Sequence, residues 1–196
     1  ISAAVYKDGM GWIGVAGFAN PETPMSPHTP LRLMSISKTY LGALILTQIT
    51  DGLYSLDDRV STLLSNHDAY QSLDKTIIPD VTIRELLTMR SGILGTYKDS
   101  GKFETFRLMA NPKWEPVDTL VLAKIPAETP GKFKYSPIVN SYLLGLIAEE
   151  MSNNDLLTLY HTKLLNSINI NVGLLPLTDP PSNLAKAYAN RSNYGG

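Results

Sequence analysis

Two residues with catalytic potential, Ser35 and Lys38, stand three positions apart at the start of a long apolar segment. If this segment, Leu31–Gly52, forms a helix, the two side chains lie one turn apart on the same face. A serine hydroxyl with an amine one turn away can act as a nucleophile, with the lysine as its base. Free N–H groups at the start of the helix would stabilise an oxyanion developing on a substrate. The spacing therefore indicates acyl-transfer chemistry.

The Ser-x-x-Lys pattern is weak evidence by itself, because about one match is expected by chance in a chain of this length. The sequence contains a second match, Ser72 and Lys75, in a polar stretch that no buried helix follows. The structural alternative for the first pair makes Ser35 a helix N-cap and Lys38 a solvated lysine. Spacing alone favours that alternative, so the surrounding sequence has to decide.

Tyr135 is a third candidate, because it follows Lys134 and precedes another apolar segment. A phenol beside a lysine can lose its proton and relay protons during catalysis. The alternative role is packing, since tyrosines before helices commonly bury the ring and expose the hydroxyl. Tyr135 gains catalytic meaning only if the fold brings it close to Ser35.

Composition excludes several classes of partner. The chain has 196 residues, a formal net charge of -1 and a pI near 6.3, so it offers no basic field for nucleic acid or anionic lipid. No apolar run reaches the ~18 residues of a membrane span. The histidines His28, His67 and His161 are unclustered, and no metal-binding or cofactor motif is present.

Cysteine is absent, which excludes disulfide bonds and cysteine nucleophiles. A chain without cysteine fits a periplasmic or secreted protein, although it also fits many cytosolic ones. The chain begins with Ile1 and shows no signal peptide, so we expect that it is processed or trimmed.

The elements predicted around the candidates are a hairpin followed by helices. Asp8-Gly9 predicts a hairpin turn, and a proline-rich stretch after it predicts an extended loop. Thr82-x-x-Glu85 predicts a capping box at a helix start. We expect the hairpin at Ile1–Phe18, the loop at Asn20–Pro30 and an irregular stretch at Asn66–Asp80. The segments expected to form helices are Ser35–Asp51, Leu56–Leu64, Ile83–Met89, Phe103–Ala110, Val117–Lys124, Ile138–Met151 and Leu156–Leu165.

The apolar residues of the first of these helices nearly encircle its axis, which predicts burial on every side. A lone hairpin is marginal in water, so its sheet needs more strands. Nothing after Asn166 clearly supplies them, and we therefore expect that a C-terminal part is missing from the chain.

Four blocks, in order, resemble the serine β-lactamase and penicillin-recognising family, in its class C, DD-peptidase and esterase-like branch. They are the opening hairpin with its proline-rich loop, LRLMSISKTYLGALILTQITDGLYSLDDRVSTLL, VTIRELLTMRSGI, and PGKFKYSPIVNSYLLGLIAEEMS. The resemblance implies a serine hydrolase whose catalytic residues are Ser35, Lys38 and Tyr135, acting through an acyl-enzyme without cofactor or metal. The implied substrates are a β-lactam, a D-alanyl or peptidoglycan-like peptide, or an ester.

The implied fold class is α/β (α+β), a sandwich of an antiparallel sheet and an inserted all-helical domain. On this reading residues 1–34 form the N-terminal hairpin and loop of the sheet domain, and residues 35–168 contain the nucleophile helix and the mostly helical domain. Residues 169–196 form an irregular segment returning toward the C-terminal strands, which are not in the sequence.

The sequence departs from the family pattern at two points. The Tyr-x-Asn motif of the family has Pro137 at its third position, and Asn140 stands three residues further on as an uncertain substitute. The family's Lys-Thr-Gly or His-x-Gly motif does not occur before Gly196. Two alternatives therefore remain open: a non-catalytic or impaired member that acts as a binding or scaffold protein, and an inactive fragment of a longer enzyme.

Overall fold

The computed structural model of the protein describes residues 1–94, 127–136, 138–168 and 184–185. The helices predicted at Phe103–Ala110 and Val117–Lys124 lie outside the described residues, as does most of the segment 169–196. The chain divides into two compact units. One contains Ile1–Met34 with Thr178–Gly196, and the other contains Ser35–Leu177.

The predicted hairpin is confirmed in the first unit. Strands β1 (Ser2–Lys7) and β2 (Met10–Val15) pair antiparallel, with Ser2 opposite Val15 and Lys7 opposite Met10. The turn residues Asp8 (φ 52°) and Gly9 (φ 81°) both adopt left-handed backbone, as a two-residue turn between twisted strands requires.

A second, smaller strand pair follows where the sequence predicted only a loop. Strands β3 (Phe18–Asn20) and β4 (Thr23–Pro24) are joined by a tight turn. The Asn20 side chain closes this turn, because its Oδ1 accepts hydrogen bonds from the backbone N–H groups of Glu22 and Thr23 at 3.0 Å each. The hydrogen bonds of the Asn20 side chain stabilise a turn, although the neighbouring prolines favour an extended backbone.

The helix after the nucleophile candidate is present, with a later start than predicted. Met34–Ile36 forms one 3₁₀ turn, and α1 runs from Ser37 to Thr50. The chain then leaves the helix through Gly52, whose φ of 81° explains the glycine.

The prediction that this helix is buried on every side is wrong. Its buried residues Leu41, Leu44, Ile45 and Gln48 form one stripe, whereas Leu46 is 51% exposed. Within the described residues, the main helical contacts of α1 are with elements that follow residue 138. Apolar residues alone did not reveal which face these elements cover.

The remaining helical elements pack around α1 and a second long helix. The helices are α2 (Val60–Leu63), α3 (Asp68–Gln71), α4 (Ile83–Leu87), α5 (Val139–Ser152), α6 (Leu156–Tyr160) and α7 (Asn166–Ile168). A turn of π-helix, His161–Leu165, joins α6 to α7. Helix α3 lies in the stretch predicted to be irregular. The core contains fully buried side chains from most of these elements, among them Leu44, Val60, Tyr70, Ile83, Leu86, Leu143 and Ile147.

Side-chain caps fix the starts of two helices. The predicted capping box of α4 is confirmed: Thr82 Oγ1 accepts from the Glu85 N–H at 3.2 Å, and Glu85 Oε2 accepts from the Thr82 N–H at 2.9 Å. Helix α6 is capped by Asp155, whose Oδ1 accepts from the Thr158 N–H at 2.9 Å.

A buried polar contact joins α1 to α5. The Tyr54 hydroxyl donates to Gln48 Oε1 at 2.6 Å, and Gln48 Nε2 donates to the Ala148 carbonyl at 2.9 Å. Gln48 is fully buried, so these bonds replace the water it loses. Burial also raises the pKa of the Tyr54 phenol, which keeps the hydroxyl a donor. The contact fixes the rotation of α1 about its axis, and with it the direction of the residues at its start.

Over the described ranges, no helix is both long and apolar enough to cross a membrane.

Candidate active site

The three residues expected to do chemistry meet within the unit formed by Ser35–Leu177. The Ser35 hydroxyl lies 2.9 Å from the Tyr135 hydroxyl, and Lys38 Nζ donates to Ser35 Oγ at 3.3 Å. Lys38 Nζ also lies 5.8 Å from the centre of the Tyr135 ring. Ser35 therefore hydrogen-bonds to two groups that can exchange its proton.

Three different elements provide these side chains. Ser35 is the middle residue of the 3₁₀ turn that leads into α1, and Lys38 lies in the first turn of α1. Tyr135 belongs to the irregular segment 127–136 that precedes α5. Ser35 and Tyr135 are 100 residues apart in the chain, so only the tertiary fold brings them together.

The surroundings of Tyr135 lower the pKa of its phenol. The hydrogen bond with Ser35, and after it the charge of Lys38, hold the pKa of Tyr135 below the ordinary phenol value, although partial desolvation opposes them. The first turn of α1 carries no acidic residue, so nothing there cancels the positive end of the helix. A negative charge that develops next to Ser35 would be stabilised.

Tyr135 and Ser35 are accessible to a substrate. Tyr135 is 46% exposed and Ser35 is also exposed, whereas Lys38 is partly covered. An exposed hydroxyl in hydrogen-bond contact with a phenol of lowered pKa and a lysine amino group is equipped for nucleophilic attack on a carbonyl.

Asn140 does not face the site. It is fully buried, its Oδ1 accepts from the Ser91 hydroxyl at 2.8 Å, and its Nδ2 donates to the Leu86 carbonyl at 3.2 Å. The same Nδ2 lies 3.5 Å from Met89 Sδ. Asn140 therefore joins the start of α5 to the end of α4, and it does not provide the amide that would contact a substrate. Sequence reasoning left this open, because Ser91 is 49 residues away in the chain.

The second Ser-x-x-Lys match is structurally different. Lys75 Nζ donates to the Tyr70 carbonyl at 2.9 Å and lies 3.5 Å from the centre of the Tyr70 ring. Desolvation lowers the pKa of this lysine, and its nitrogen faces the carbonyl and ring of Tyr70. The interpretation of Ser72 and Lys75 as a surface match is consistent with this geometry.

Other features offer no competing site in the described ranges. His, Asp and Glu side chains form no group there that could hold a metal ion. An open depression lies at the C-terminal end of α5, away from the end that adjoins Tyr135. Its lining residues are His67, Leu146, Glu149, Glu150, Asn153, Asn154 and Asp155.

The sequence matches the family model described as Beta-lactamase over residues 1–192. The matched range contains all three candidate residues, Ser35, Lys38 and Tyr135. The chain belongs to the beta-lactamase family.

Solved structures show the same fold. A penicillin-binding protein from Bacillus halodurans is 22% identical and superposes with a TM-score of 0.76, covering 94% of this chain and 56% of that one. The D-amino acid amidase from Ochrobactrum anthropi in complex with L-phenylalanine is 18% identical, with a TM-score of 0.72 and coverage of 95% and 52%. EstCE1, a hydrolase with promiscuous acyltransferase activity, is 24% identical, with a TM-score of 0.64 and coverage of 82% and 44%.

These matches confirm the predicted β-lactamase-like fold, with mixed helices and small sheets. The chain spans about half the length of the solved structures it matches. A search of curated proteins found no significant match.

Proposed function

We propose that the protein is a serine hydrolase that forms an acyl-enzyme on Ser35, with Lys38 and Tyr135 as the other catalytic residues. The observation that carries the proposal is the position of Ser35 Oγ, which lies 2.9 Å from the Tyr135 hydroxyl and 3.3 Å from Lys38 Nζ. Both distances allow hydrogen bonds, and hence proton transfer, from the nucleophile.

In the proposed mechanism, Ser35 Oγ attacks the carbonyl carbon of the substrate while its proton passes to the Lys38–Tyr135 pair. The hydrogen bond with Ser35 and the charge of Lys38 lower the pKa of Tyr135, which supports a role for its phenol oxygen as the acceptor. The carbonyl oxygen becomes an oxyanion, and the Ser35 N–H contributes one of its donors. Tyr135 then protonates the leaving group as the carbon–leaving-group bond breaks. Water or another acceptor finally releases the acyl group from Ser35.

The proposed substrates are a β-lactam, a D-alanyl or peptidoglycan-like peptide, or a simple ester. Three solved structures of this fold are named as a penicillin-binding protein, a D-amino acid amidase and a hydrolase, which supports a substrate with a reactive carbonyl. The mechanism needs no cofactor or metal ion. A periplasmic or secreted location fits such substrates and the chain's lack of cysteine.

A second candidate is a member of the family that binds ligands without turnover. It is favoured by the burial of Asn140, whose amide bonds to Ser91 and Leu86 within the protein, and by Pro137 at the motif position where the family has asparagine. A third is a fragment that is inactive until the rest of the enzyme complements it.

A covalent probe distinguishes the enzyme from the binding protein. The protein is incubated with a fluorescent penicillin or a fluorophosphonate, and labelling is read after denaturation. We expect wild-type protein to be labelled, Ser35→Ala to lose labelling, and Ser72→Ala, from the second Ser-x-x-Lys match, to keep it. A folded full-length protein that never labels would refute the proposal, and labelling only after the remainder of a longer enzyme is added would identify the fragment.

A further inference from the structure

The segment that carries Tyr135 is attached along its length to the residues after α4. The Glu128 N–H donates to the Gly92 carbonyl at 2.9 Å, the Gly131 N–H to the Arg90 carbonyl at 2.8 Å, and the Lys134 N–H to the Met89 carbonyl at 2.8 Å. The last of these bonds lies one residue before Tyr135. The path of Tyr135 is therefore set by residues 89–92.

The end of α4 is shaped to present these carbonyl groups. The Met89 N–H donates to the Leu86 carbonyl at 3.2 Å and the Arg90 N–H to the Glu85 carbonyl at 2.7 Å, with Met89 in left-handed backbone (φ 56°). This is a Schellman C-cap, in which glycine usually takes the place that methionine holds here. A non-glycine residue in this conformation is strained, so the surroundings must hold it there.

Gly92 permits the close approach of the two segments. Its φ of 77° is left-handed, and a Cβ at this position would overlap the carbonyl group of Glu128. A side chain here would push residues 127–130 away and disturb the segment that leads to Tyr135.

Arg90 adds a side-chain bond to the same attachment. Its Nη1 donates to the Gly131 carbonyl at 2.8 Å, while its own carbonyl accepts from the Gly131 N–H. One arginine thus binds both the N–H and the C=O of Gly131, at the turn from which the chain proceeds to Tyr135. Because the donor is charged, this bond is stronger than a neutral one.

We propose that Arg90 is a positioning residue that holds the Tyr135 hydroxyl within hydrogen-bonding reach of Ser35. Arg90 acts through the 127–136 segment, by its bonds to Gly131. The inference rests on the proposed function for its catalytic consequence, but the placement of Tyr135 can be measured without any activity.

The test uses three variants of the full chain. Arg90→Ala removes the bond to Gly131, Arg90→Lys keeps a charged donor, and Arg84→Ala is the matched control. Arg84 lies on α4 itself, is exposed, and forms an ion pair with Asp57 at 2.9 Å that has no part in the attachment. Thermal melting of each variant shows whether the fold is retained.

Two readouts are taken as functions of pH: the rate of covalent labelling, and the titration of Tyr135 followed by NMR of ¹³C-labelled tyrosine. Tyr135→Phe identifies the Tyr135 signal. We expect Arg90→Ala to slow labelling about tenfold or more, since misplacing a catalytic group has effects of this order. Its Tyr135 should titrate at higher pH than in wild type, because the bond to Ser35 that lowers the phenol's pKa is weakened. Arg90→Lys should restore most of both, and Arg84→Ala should change neither.

The outcomes separate the two proposals. If Tyr135 titrates in folded Arg90→Ala as it does in wild type, Arg90 does not position it and the inference is overturned, whatever the labelling. If wild type is never labelled but the Tyr135 titration moves in Arg90→Ala, the positioning role stands and the proposed function fails. Should Arg90→Ala melt too early to study, Arg90→Gln takes its place, and a Tyr135 titration in folded Arg90→Gln equal to that of wild type would likewise overturn the inference.

Discussion

At the scale of single residues, the proposed chemistry depends on how three polar side chains share one proton. Ser35 contacts both partners directly, and Lys38 also acts on Tyr135, through its charge and a side-chain hydrogen bond, with Nζ 5.8 Å from the ring centre. The hydroxyl of Tyr135 is therefore the closer acceptor, and Lys38 acts both on the serine and on the charge of the phenol. Each role predicts a different effect of substitution.

Replacing Lys38 by alanine should slow acylation at least ~10²-fold, the scale of lost general-base catalysis. The variant loses the donor at 3.3 Å from Ser35 Oγ and the charge that favours phenolate. Single-turnover labelling measures the rate, and Lys132→Ala, an exposed lysine in the Tyr135 segment, serves as the control. Undiminished labelling of Lys38→Ala would rule out a catalytic role for Lys38.

The rate of labelling should rise with pH as Tyr135 loses its proton. Because the pKa of Tyr135 is lowered, more phenolate is present at any given pH than for a free phenol, and the rise occurs at lower pH. Removing Lys38 raises the pKa of Tyr135 again, so the labelling rate of Lys38→Ala should rise at higher pH than that of wild type. If the labelling rate of Tyr135→Phe rises at the same pH as that of wild type, another group is titrating.

The sequence predicted which residues meet at the candidate site, but not the hydrogen bonds that hold the surrounding segments in place. Ser35 and Lys38 lie one turn apart, so local spacing suffices to pair them, and the family resemblance placed Tyr135 with them. Asn140 and Arg90 have partners 49 and 41 residues away, which spacing cannot reveal. The catalytic role of Ser35, Lys38 and Tyr135 stays a prediction until acylation is measured.

At the scale of secondary-structure elements, α1 connects the site to the core. Leu44 is fully buried on the stripe that faces the other helices, whereas Leu46 is 51% exposed. Leu44→Arg should prevent folding, because it would bury an unpaired charge. Leu46→Arg, the same change two residues on, should leave a soluble protein with nearly unchanged melting. Circular dichroism melts compare the two, and a cooperatively melting Leu44→Arg would show that this face is not buried.

The Gln48–Tyr54 contact should stabilise the joint between α1 and α5. Tyr54→Phe leaves the buried Gln48 oxygen without its donor, which should lower the free energy of unfolding by about 1–3 kcal/mol. Tyr6→Phe, at a position 78% exposed, is the control and should have almost no effect. Chemical denaturation measures both, and equal stability of the two variants would show that the bond has no net value.

Turns and helix starts that depend on neighbouring residues alone were predicted correctly from the sequence. The Asp8-Gly9 turn and the Thr82–Glu85 capping box are formed by residues within a few positions of one another, and both are confirmed. The burial of α1 was overestimated because its apolar residues exceed one face, and only tertiary packing selects the stripe. Helix α3 was missed because it lies in a polar stretch. Among the side chains described in that stretch before Ile78, Tyr70 is the one that is fully buried.

At the scale of the whole molecule, the three site residues belong to one compact unit, Ser35–Leu177. The chain covers between 44% and 56% of the three solved structures compared above. The four sequence blocks were enough to predict the β-lactamase-like fold, because each combines an element with its turn or cap. The domain layout predicted from the sequence, with the segment 169–196 returning to a sheet, stays a prediction.

The central claim is that an acyl group attaches to Ser35 Oγ. The most direct measurement is mass spectrometry of the protein after separate reactions with penicillin and with a fluorophosphonate, first intact and then as proteolytic peptides. We expect one adduct per chain, located on the peptide that contains Ser35 and absent from Ser35→Ala. A folded protein without any adduct, or an adduct that persists in Ser35→Ala at another residue, would contradict it.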